Sequence, residues 1–291
     1  MSGSARYPYL PITDRPFWHL PGRARIAVYI GLNLEIYEPD GHGPAIVPGL
    51  ANRAVDPINT GWRDYGPRVG IWRLAEIFDE VGIKPSVLLN SAAATAYPQI
   101  IRHGVNRGWC WVAHGRSNSE FAGPDAPVLE RDAERVYLTA IVDEIAAATS
   151  ARPRGWLGPL GLSQTDNTLE LLAELGFGYV LDWAADDQPF ALGQQGMIGL
   201  PYSFEVNDLP PLMRSGLTGP EFGQMIVDQF DALYAEGASQ PRVLPIAVHP
   251  FVAGQAFRAI HLRRALQHVM AHDGVWLCTT DELAAWATRP Q

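Results

Sequence analysis

Two histidines stand at positions suited to acid–base chemistry. His114 directly follows the apolar run Cys110–Ala113, and His249 directly follows the apolar run Val243–Val248. Histidine is the commonest general acid or base near neutral pH, because its ordinary pKa lies close to that range. We therefore predict that both histidines are catalytic. For His114 the alternative is a structural histidine held by its own loop.

Glu35 is the carboxylate best placed to work with these histidines. It follows Ile26–Leu34, a run of strand length without a charged residue. A carboxylate that emerges from a buried strand is partly desolvated, which raises its pKa and suits a general base. The alternative is a carboxylate paired with Arg63, Arg68 or Arg154. Of these, Arg154 would position Glu35 rather than compete with it.

A long segment without clear periodicity separates these groups. Residues 37–67 are rich in Gly, Pro, Asn and Asp, and a loop of this length inside a compact domain is usually functional. Trp62 and Arg63 lie within it, and we predict that they form a wall or lid over a substrate.

Four other histidines fall in helical patterns beside arginine or aspartate, where a solvated helix face is expected. They are His103, His261, His268 and His272.

The elements that must position these residues alternate between strand and helix. Strand-like apolar runs occur at 26–34, 86–89, 110–113, 155–157, 179–181, 243–248 and 275–277. Helical patterns lie between most of them, and one such pattern predicts a helix from Ala92 to Asn106. This alternation predicts an α/β architecture with parallel strands, in which catalytic groups collect at the carboxyl ends of strands. The residues at such ends are Glu35, Asn90, His114, Asp182 and His249.

The composition excludes several classes of function. The 291 residues include 22 Lys and Arg against 31 Asp and Glu, and a formal charge of −9 disfavours binding to nucleic acid or anionic membranes. No apolar run approaches the roughly 18 residues that span a bilayer. Residues 1–23 are polar and proline-rich without an apolar signal region, so we expect a cytoplasmic protein. We interpret residues 1–291 as a single catalytic domain with 1–23 as an N-terminal arm.

A series of motifs runs from about Ala24 onward. The motifs are Gly31–Glu35, Trp62–Arg73, His114–Ser119, Arg154–Pro159, Pro201–Tyr202 with Asn207–Asp208, and His249–Pro250 with Gly254 and Arg258. Together they resemble the motifs of the polysaccharide deacetylase superfamily. Within it, the chain looks most like the branch of metal-independent allantoinases and bacterial cyclic imide hydrolases (imidases). The resemblance implies a distorted (β/α)7-type barrel.

The chain departs from the metal-dependent members of that superfamily at two ligand positions. Those members hold their ion with an aspartate next to the base and with two histidines four residues apart. Here Glu35 matches the base but is followed by Ile36, and His114 is followed four residues later by Asn118. A lone imidazole does not hold zinc tightly. We therefore expect no metal and no other cofactor, with a zinc ion held through other groups as the less favoured alternative.

The missing ligands favour a substrate with an activated carbon–nitrogen bond, because an ordinary acetamide needs a Lewis acid. In a cyclic imide the ring nitrogen is bonded to two acyl groups and leaves more easily. The resemblance thus implies a hydrolase that opens a small cyclic imide or a related cyclic amide or ureide. We favour a cyclic imide hydrolase over an allantoinase because residues 116–119 read Arg-Ser-Asn-Ser. Two less favoured hypotheses are a polysaccharide or peptidoglycan N-deacetylase and a non-catalytic binding protein that kept the fold.

Each residue has a role in the imide hypothesis. Glu35 is the general base, His249 protonates the leaving nitrogen, and His114 orients water or the substrate carbonyl. Asn118, Ser117 or backbone amides after His114 hold the oxyanion, and Trp62, Trp156 and Trp183 enclose a flat ring. The expected partners are that small substrate and further copies of the chain in a dimer or tetramer. The substrate-binding set is Asn33, Trp62, Arg63, Asn90, Ser117, Asn118, Trp156 and Trp183.

Overall fold

A curled sheet lies at the centre of the protein, and most of the helices cover its outer face. The computed structural model describes residues 7–38, 43–51, 55–120, 128–159, 165–193 and 196–289. Its strands are β1 (Ile26–Leu34), β2 (Ser86–Leu89), β3 (Cys110–Ala113), β4 (Gly155–Trp156), β5 (Tyr179–Val180), β6 (Phe190–Ala191), β7 (Ile198–Gly199), β8 (Arg242–Val248) and β9 (Val275–Leu277). Its α-helices are α1 (Pro57–Tyr65), α2 (Ile71–Val81), α3 (Ser91–Ala96), α4 (Pro98–Arg107), α5 (Arg131–Thr149), α6 (Thr168–Glu174), α7 (Gly219–Glu236), α8 (Ala256–Met270) and α9 (Thr280–Ala287).

β1 is the central strand of the sheet. It pairs in parallel with β8, from Ile26 opposite Arg242 to Leu32 opposite Val248. On its other side, β9 pairs with the amino-terminal half of β1 and β2 with the carboxyl-terminal half. The order is β8-β1-β2-β3-β4-β5-β7-β6, and among the described strands only the β6–β7 pair is antiparallel. This arrangement confirms the predicted α/β barrel-type fold.

Alternation along β1 directs its side chains into two separate cores. The whole strand is buried, as expected for a parallel strand covered on both faces. Ala27 and Tyr29 face the inside of the barrel, whereas Ile26, Val28 and the other even-numbered residues contact the helices outside. Because successive side chains of a strand point to opposite faces, Glu35 continues the inward-facing set.

Helix α9 closes the amino end of the barrel. Its Leu283 and Ala284 pack in the inner core. The hydroxyl of Tyr179 lies 2.7 Å from Thr280 Oγ1 and donates to Asp281 Oδ1 at 2.8 Å. These contacts fill the barrel at the amino ends of its strands. We call the opposite end, formed by the carboxyl ends of the strands, the mouth of the barrel.

Two elements differ from the sequence-based prediction. The segment 37–67 was expected to be a loop, but its described part contains α1, which begins where the Asp56 side chain accepts a hydrogen bond from the Asn59 amide at 3.1 Å. One helix was expected from Ala92 to Asn106, yet Pro98 starts a new helix after Tyr97. Proline has no N–H to continue a helix but fits the first turn of a new one.

The described part of the N-terminal arm packs on the sheet edge that includes β6. Arg15 donates to Asp186 Oδ1 at 2.7 Å, and the Gln240 side chain contacts the backbone of Pro16 and Trp18. Of the arm predicted at 1–23, residues 1–6 lie outside the described residues. Within the described ranges, no helix has the length and apolar character needed to cross a membrane.

Replacing Gly155 by Ala is expected to destabilise the protein. A Cβ at this position would lie 2.1 Å from Cζ of the buried Tyr179 ring, whose hydroxyl is held by α9. Overpacking of a closed core costs about 1–3 kcal/mol in the free energy of unfolding. Urea denaturation should show a lower midpoint for Gly155→Ala.

Gly178→Ala is the matched control for this substitution. No atom lies within 4 Å of a Cβ built at Gly178, and its φ is not in the left-handed region. Its midpoint should stay within about 0.5 kcal/mol of the parent. Equal loss of stability in the two variants would show that the Tyr179 contact is not the cause.

Candidate active site

The carboxylate of Glu35 lies at the centre of the barrel mouth. Its side chain is only 3% exposed, although it follows β1 at the open end. Oε1 accepts a hydrogen bond from Asn118 Nδ2 at 2.6 Å and lies 3.3 Å from His114 Nε2 and 3.5 Å from His249 Nε2. Oε2 accepts from the Tyr37 hydroxyl. The structure therefore brings together the three residues predicted from the strand ends.

The ionisation of Glu35 differs from the expectation. Burial opposes the charged form, but the charge of His249 and the contacts with His249 and His114 outweigh it and hold the pKa of Glu35 well below its usual range. The prediction of a raised pKa is therefore wrong. It counted the desolvation of one carboxylate and not the histidines that share the mouth.

His249 is held as a proton donor by Asp208. Its Nδ1 lies 2.6 Å from Asp208 Oδ1, while Asp208 Oδ2 accepts the backbone amides of His249 and Ala253 at 2.9 Å each. Burial alone would lower the pKa of His249, but the charges of Glu35 and Asp208 raise it to about 10. The imidazole is therefore protonated at neutral pH, with Nδ1 directed to Asp208 and Nε2 to Glu35.

Asp208 is the residue whose role was missed from sequence. It is fully buried and reaches β8 because Asn207 forms an isolated parallel bridge with Ala247. The adjacent pair Asn207–Asp208 is visible in the resemblance motifs, but nothing local to it indicates a contact with His249. Tyr37, which donates to Glu35, was also missed because it lies in the segment expected to be a loop.

His114 faces Glu35 from the end of β3. Its Nδ1 lies 2.7 Å from the carbonyl oxygen of Leu157, the residue that follows β4. That carbonyl can only accept, so Nδ1 bears a proton and Nε2 is the nitrogen presented to the mouth. The ring is therefore oriented by the neighbouring strand rather than by its own loop.

Asn90 fixes the orientation of the Asn118 amide. Its Oδ1 accepts the backbone amide of Ile36 at 2.9 Å, and its Nδ2 donates to Asn118 Oδ1 at 2.9 Å and to the carbonyl of His114. The Asn118 carbonyl therefore points at Asn90 and its NH2 group at Glu35. Asn90 positions neighbours at the mouth, and its predicted contact with substrate stays a prediction.

The backbone amides after His114 are mostly engaged. The amides of Arg116, Asn118 and Ser119 donate to Tyr137 Oη, to the carbonyl of Ile36 and to Ser117 Oγ respectively. They are therefore unsuited to the predicted role of holding an oxyanion. Ser117 is buried, and we keep its contact with substrate as a prediction.

Trp62, Arg63 and Asn33 line the surroundings of the acid–base group. The Trp62 ring packs edge to face on Phe251 at 4.9 Å, and Phe251 lies 5.6 Å from the His249 ring. The Arg63 guanidinium lies 5.3 Å from the centroid of Tyr37. Inside the barrel, Asn33 Nδ2 donates to the carbonyl of Val248 at 3.3 Å. The predicted contacts of these three residues with a substrate stay predictions.

The predictions for Arg154 and Trp156 are wrong. Arg154 is exposed and precedes β4, so it lies at the amino end of the strand, whereas Glu35 follows the carboxyl end of β1. Trp156 faces the helices and packs on Phe177 at 6.3 Å, on the opposite side of the sheet from the inward-facing Leu157. Trp183 packs edge to face on Tyr7 of the arm at 5.8 Å, and its role in binding stays a prediction.

The donors at the mouth do not fit the metal that the resemblance implies for deacetylases. Ile36 offers no donor atom, and the Asn118 amide presents its NH2 group rather than its oxygen to Glu35. Among the described residues, the one group of three His, Cys, Asp or Glu side chains whose ligand atoms lie within 4.8 Å of one another is found between α7 and α8. Glu35, His114 and His249 do not form such a group.

Several known proteins are similar to this chain over most of its length. No family model matches the sequence. A putative polysaccharide deacetylase of Schizosaccharomyces pombe is 24% identical, covering 96% of this chain and 94% of that protein. The crystal structure of a probable polysaccharide deacetylase from Pseudomonas aeruginosa has a TM-score of 0.83 and 28% identity, with 94% of each chain covered. The chain is a member of the polysaccharide deacetylase superfamily.

Other members of the superfamily show which class of chemistry it shares. A peptidoglycan deacetylase of Helicobacter pylori is 26% identical over 79% of this chain and 86% of its own. The crystal structure of PuuE allantoinase has a TM-score of 0.85 and 26% identity, covering 98% of this chain and 99% of that one. Deacetylases and allantoinases both hydrolyse carbon–nitrogen bonds. These similarities indicate that this superfamily member is a hydrolase of the same class.

The pKa of His249 is expected to depend on Asp208. In the parent protein its NMR titration should have a midpoint near 10, and Asp208→Asn should move the midpoint toward the ordinary 6.5. Because the folded pKa is raised, the contribution of His249 to stability is complete below about pH 6.5 and is lost as the pH rises toward 10.

Asp182→Asn is the control for this titration. Asp182 follows β5 and accepts the amide of Gly158 at 2.6 Å, so its removal should leave the midpoint of His249 near that of the parent. A parent midpoint close to 6.5, unchanged in Asp208→Asn, would contradict a cationic His249.

Proposed function

We propose that this hydrolase opens the ring of a small cyclic imide, or of a related cyclic amide or ureide, without a metal. The observation that supports the proposal most is the pair of an ionised Glu35 and a protonated His249 in one mouth, with His249 held by Asp208. It supplies a base and an acid for hydrolysis. The positions that would complete a metal site are Ile36 and Asn118.

The absence of a second histidine at position 118 bears on the substrate. Without strong polarisation of the carbonyl, the leaving nitrogen must itself be activated. An imide meets this requirement, because the electron pair released by C–N cleavage is delocalised into the second acyl group. A secondary acetamide on a sugar has no such second group. The charged pair at the mouth is therefore better matched to an imide than to an acetylated sugar.

In the proposed reaction, water bound beside Glu35 attacks one ring carbonyl. The new C–O bond forms as a proton passes from water to Glu35 and the carbonyl π electrons move to oxygen. Collapse of this intermediate breaks the C–N bond, and His249 gives its Nε2 proton to the nitrogen. The proton on Glu35 then returns to His249. One water is consumed overall, and the product is an open chain that carries one carboxylic acid and one amide.

Two features of the site support this sequence of proton transfers. The low pKa of Glu35 makes it a weak base while it contacts His249. Water and substrate that enter between them lengthen this contact, which raises the basicity of Glu35 at the moment of attack. The Asn118 NH2 group is a neutral donor to Oε1, the Glu35 oxygen that faces both histidines, and we assign it to the developing oxyanion.

The comparisons favour two further candidate functions. The names of the two sequence relatives support a polysaccharide or peptidoglycan N-deacetylase, and the allantoinase structure supports ring opening of allantoin. We place the imide first because residues 116–119 read Arg-Ser-Asn-Ser and because Asn118 stands at a ligand position of metal-dependent deacetylases. We also propose a dimer or tetramer, with the N-terminal arm in the contact.

A substrate panel distinguishes these candidates. Succinimide, maleimide, dihydrouracil, hydantoin, allantoin and chitin oligomers would each be tested with and without EDTA. We expect turnover of at least one cyclic imide, unchanged by the chelator, because no step uses a metal. Turnover of chitin oligomers alone, abolished by EDTA, would overturn the proposal, and turnover of allantoin alone would replace it by the allantoinase.

His249→Gln is expected to lower kcat for the best imide by about 10²–10⁴-fold, which is the usual contribution of a general acid to the rate. KM should change much less, because the acid acts on the leaving nitrogen only as the bond breaks. His103→Gln is the control, since His103 lies on α4 against Trp72 and Trp109 and should retain activity. Equal kcat in the parent and His249→Gln would remove His249 from the mechanism.

A further inference from the structure

A second cluster of titratable side chains lies outside the barrel, between α7 and α8. It consists of Asp231 on α7, His268 in the last turn of α8 and His272 just beyond it. One ligand atom of each residue lies within 4.8 Å of the other two. We infer that these three residues bind a divalent transition-metal ion of the zinc class. This site is independent of the mouth and of the proposed function.

The distances require little movement to close around an ion. His268 Nε2 lies 2.7 Å from Asp231 Oδ1, so this nitrogen and this oxygen share a proton and already face each other between the helices. Zinc binds imidazole nitrogen and carboxylate oxygen at about 2.0–2.2 Å, which places neighbouring ligand atoms at about 3.3–3.6 Å in a tetrahedral site. The ion replaces the proton shared by His268 and Asp231.

The backbone selects the tautomer of His272 that a metal needs. Its Nδ1 lies 2.9 Å from the carbonyl oxygen of His268 and therefore bears the proton. The lone pair is then on Nε2, an arrangement typical of metal-ligating histidines whose other nitrogen donates to a carbonyl. The carboxyl end of α8 adds a negative potential that favours a cation.

Aromatic rings hold both imidazoles in place. Phe230 packs edge to face on His268 at 5.8 Å and on His272 at 5.0 Å, and Tyr234 lies 5.2 Å from His272. The Tyr234 hydroxyl also donates to the carbonyl of Asp273 at 2.8 Å. Such support limits the rotation of both rings, so less entropy is lost when an ion binds. The sequence predicted a solvated helix face for both histidines. A solvated face would not require this packing.

The donor set selects the class of ion. Two imidazoles and one carboxylate suit zinc, cobalt, nickel or copper, whereas calcium and magnesium prefer oxygen ligands alone. The side chains of His268 and Asp231 are 35% and 52% exposed, so an ion can enter from solvent and water can complete its coordination. A bound ion would tie α7 to α8, two helices that pack on each other.

The test uses untagged protein freed of metal by chelator and desalted. Isothermal titration with ZnCl₂ should show one site per chain, and excess zinc should raise the thermal midpoint by at least about 3 °C. Cobalt should give visible absorption bands of tetrahedral or five-coordinate Co²⁺. Calcium and magnesium should produce neither the heat of binding nor the shift in midpoint.

Variants separate this cluster from other places where zinc could bind. Asp231→Asn and His272→Gln should each weaken zinc binding at least about tenfold and abolish the thermal shift. Asp228→Asn removes another exposed carboxylate of α7, which contacts Gln224, and should bind like the parent. His114→Asn at the barrel mouth should also retain the site. Zinc binding that survives Asp231→Asn and His272→Gln, or is lost in His114→Asn, would overturn the inference.

Discussion

The ionised carboxylate of Glu35 must be compensated inside a barrel that excludes water, and the arrangement of the mouth follows from this requirement. An unpaired buried charge is too costly to persist, so it is either neutralised or surrounded by donors. Here four side chains surround it, and one of them, His249, is itself a cation between Glu35 and Asp208. Asp208 in turn is satisfied by two backbone amides of the segment after β8. The charges form a continuous alternating series.

The same requirement explains why the mouth differs chemically from that of a metal-dependent deacetylase. A metal supplies positive charge directly beside the base, whereas here the positive charge belongs to His249 and can leave with the proton that it donates. Asn118 contributes to the same balance, since its NH2 group faces Glu35 and its carbonyl is held by Asn90. A site of this kind can deliver a proton to a leaving nitrogen but polarises a carbonyl only through neutral donors. That difference is the physical basis for preferring an activated, cyclic substrate.

The sequence alone predicts the place of those site residues that follow directly from a single strand. Glu35 and His249 each follow a long buried strand, so their place at the mouth could be predicted from the uncharged runs of β1 and β8. Asp208 could not, because its contact with His249 depends on a bridge to Ala247 across the sheet. The charge state of Glu35 was missed for the same reason, since it depends on neighbours from other strands.

The two residues that were placed wrongly, Arg154 and Trp156, lie at or next to β4. This strand has only two residues, which is too short for its inward and outward faces to be distinguished by pattern. Pairing with β3 and β5 settles the faces, and it places Trp156 outside the barrel. Arg154, chosen as a cation near a carboxylate, lies before the strand rather than after it. To predict whether a charged residue can reach Glu35, one must know whether it precedes or follows its strand, because only the carboxyl ends of the strands lie at the mouth.

The most direct test of the charged pair is a neutron crystal structure of the unliganded protein near pD 7. It locates each deuterium at the mouth. The charged pair predicts deuterium on both Nδ1 and Nε2 of His249, none on either oxygen of Glu35, and deuterium on the Tyr37 hydroxyl directed to Oε2. Deuterium on Glu35, or on only one nitrogen of His249, would show a neutral pair and contradict the central claim.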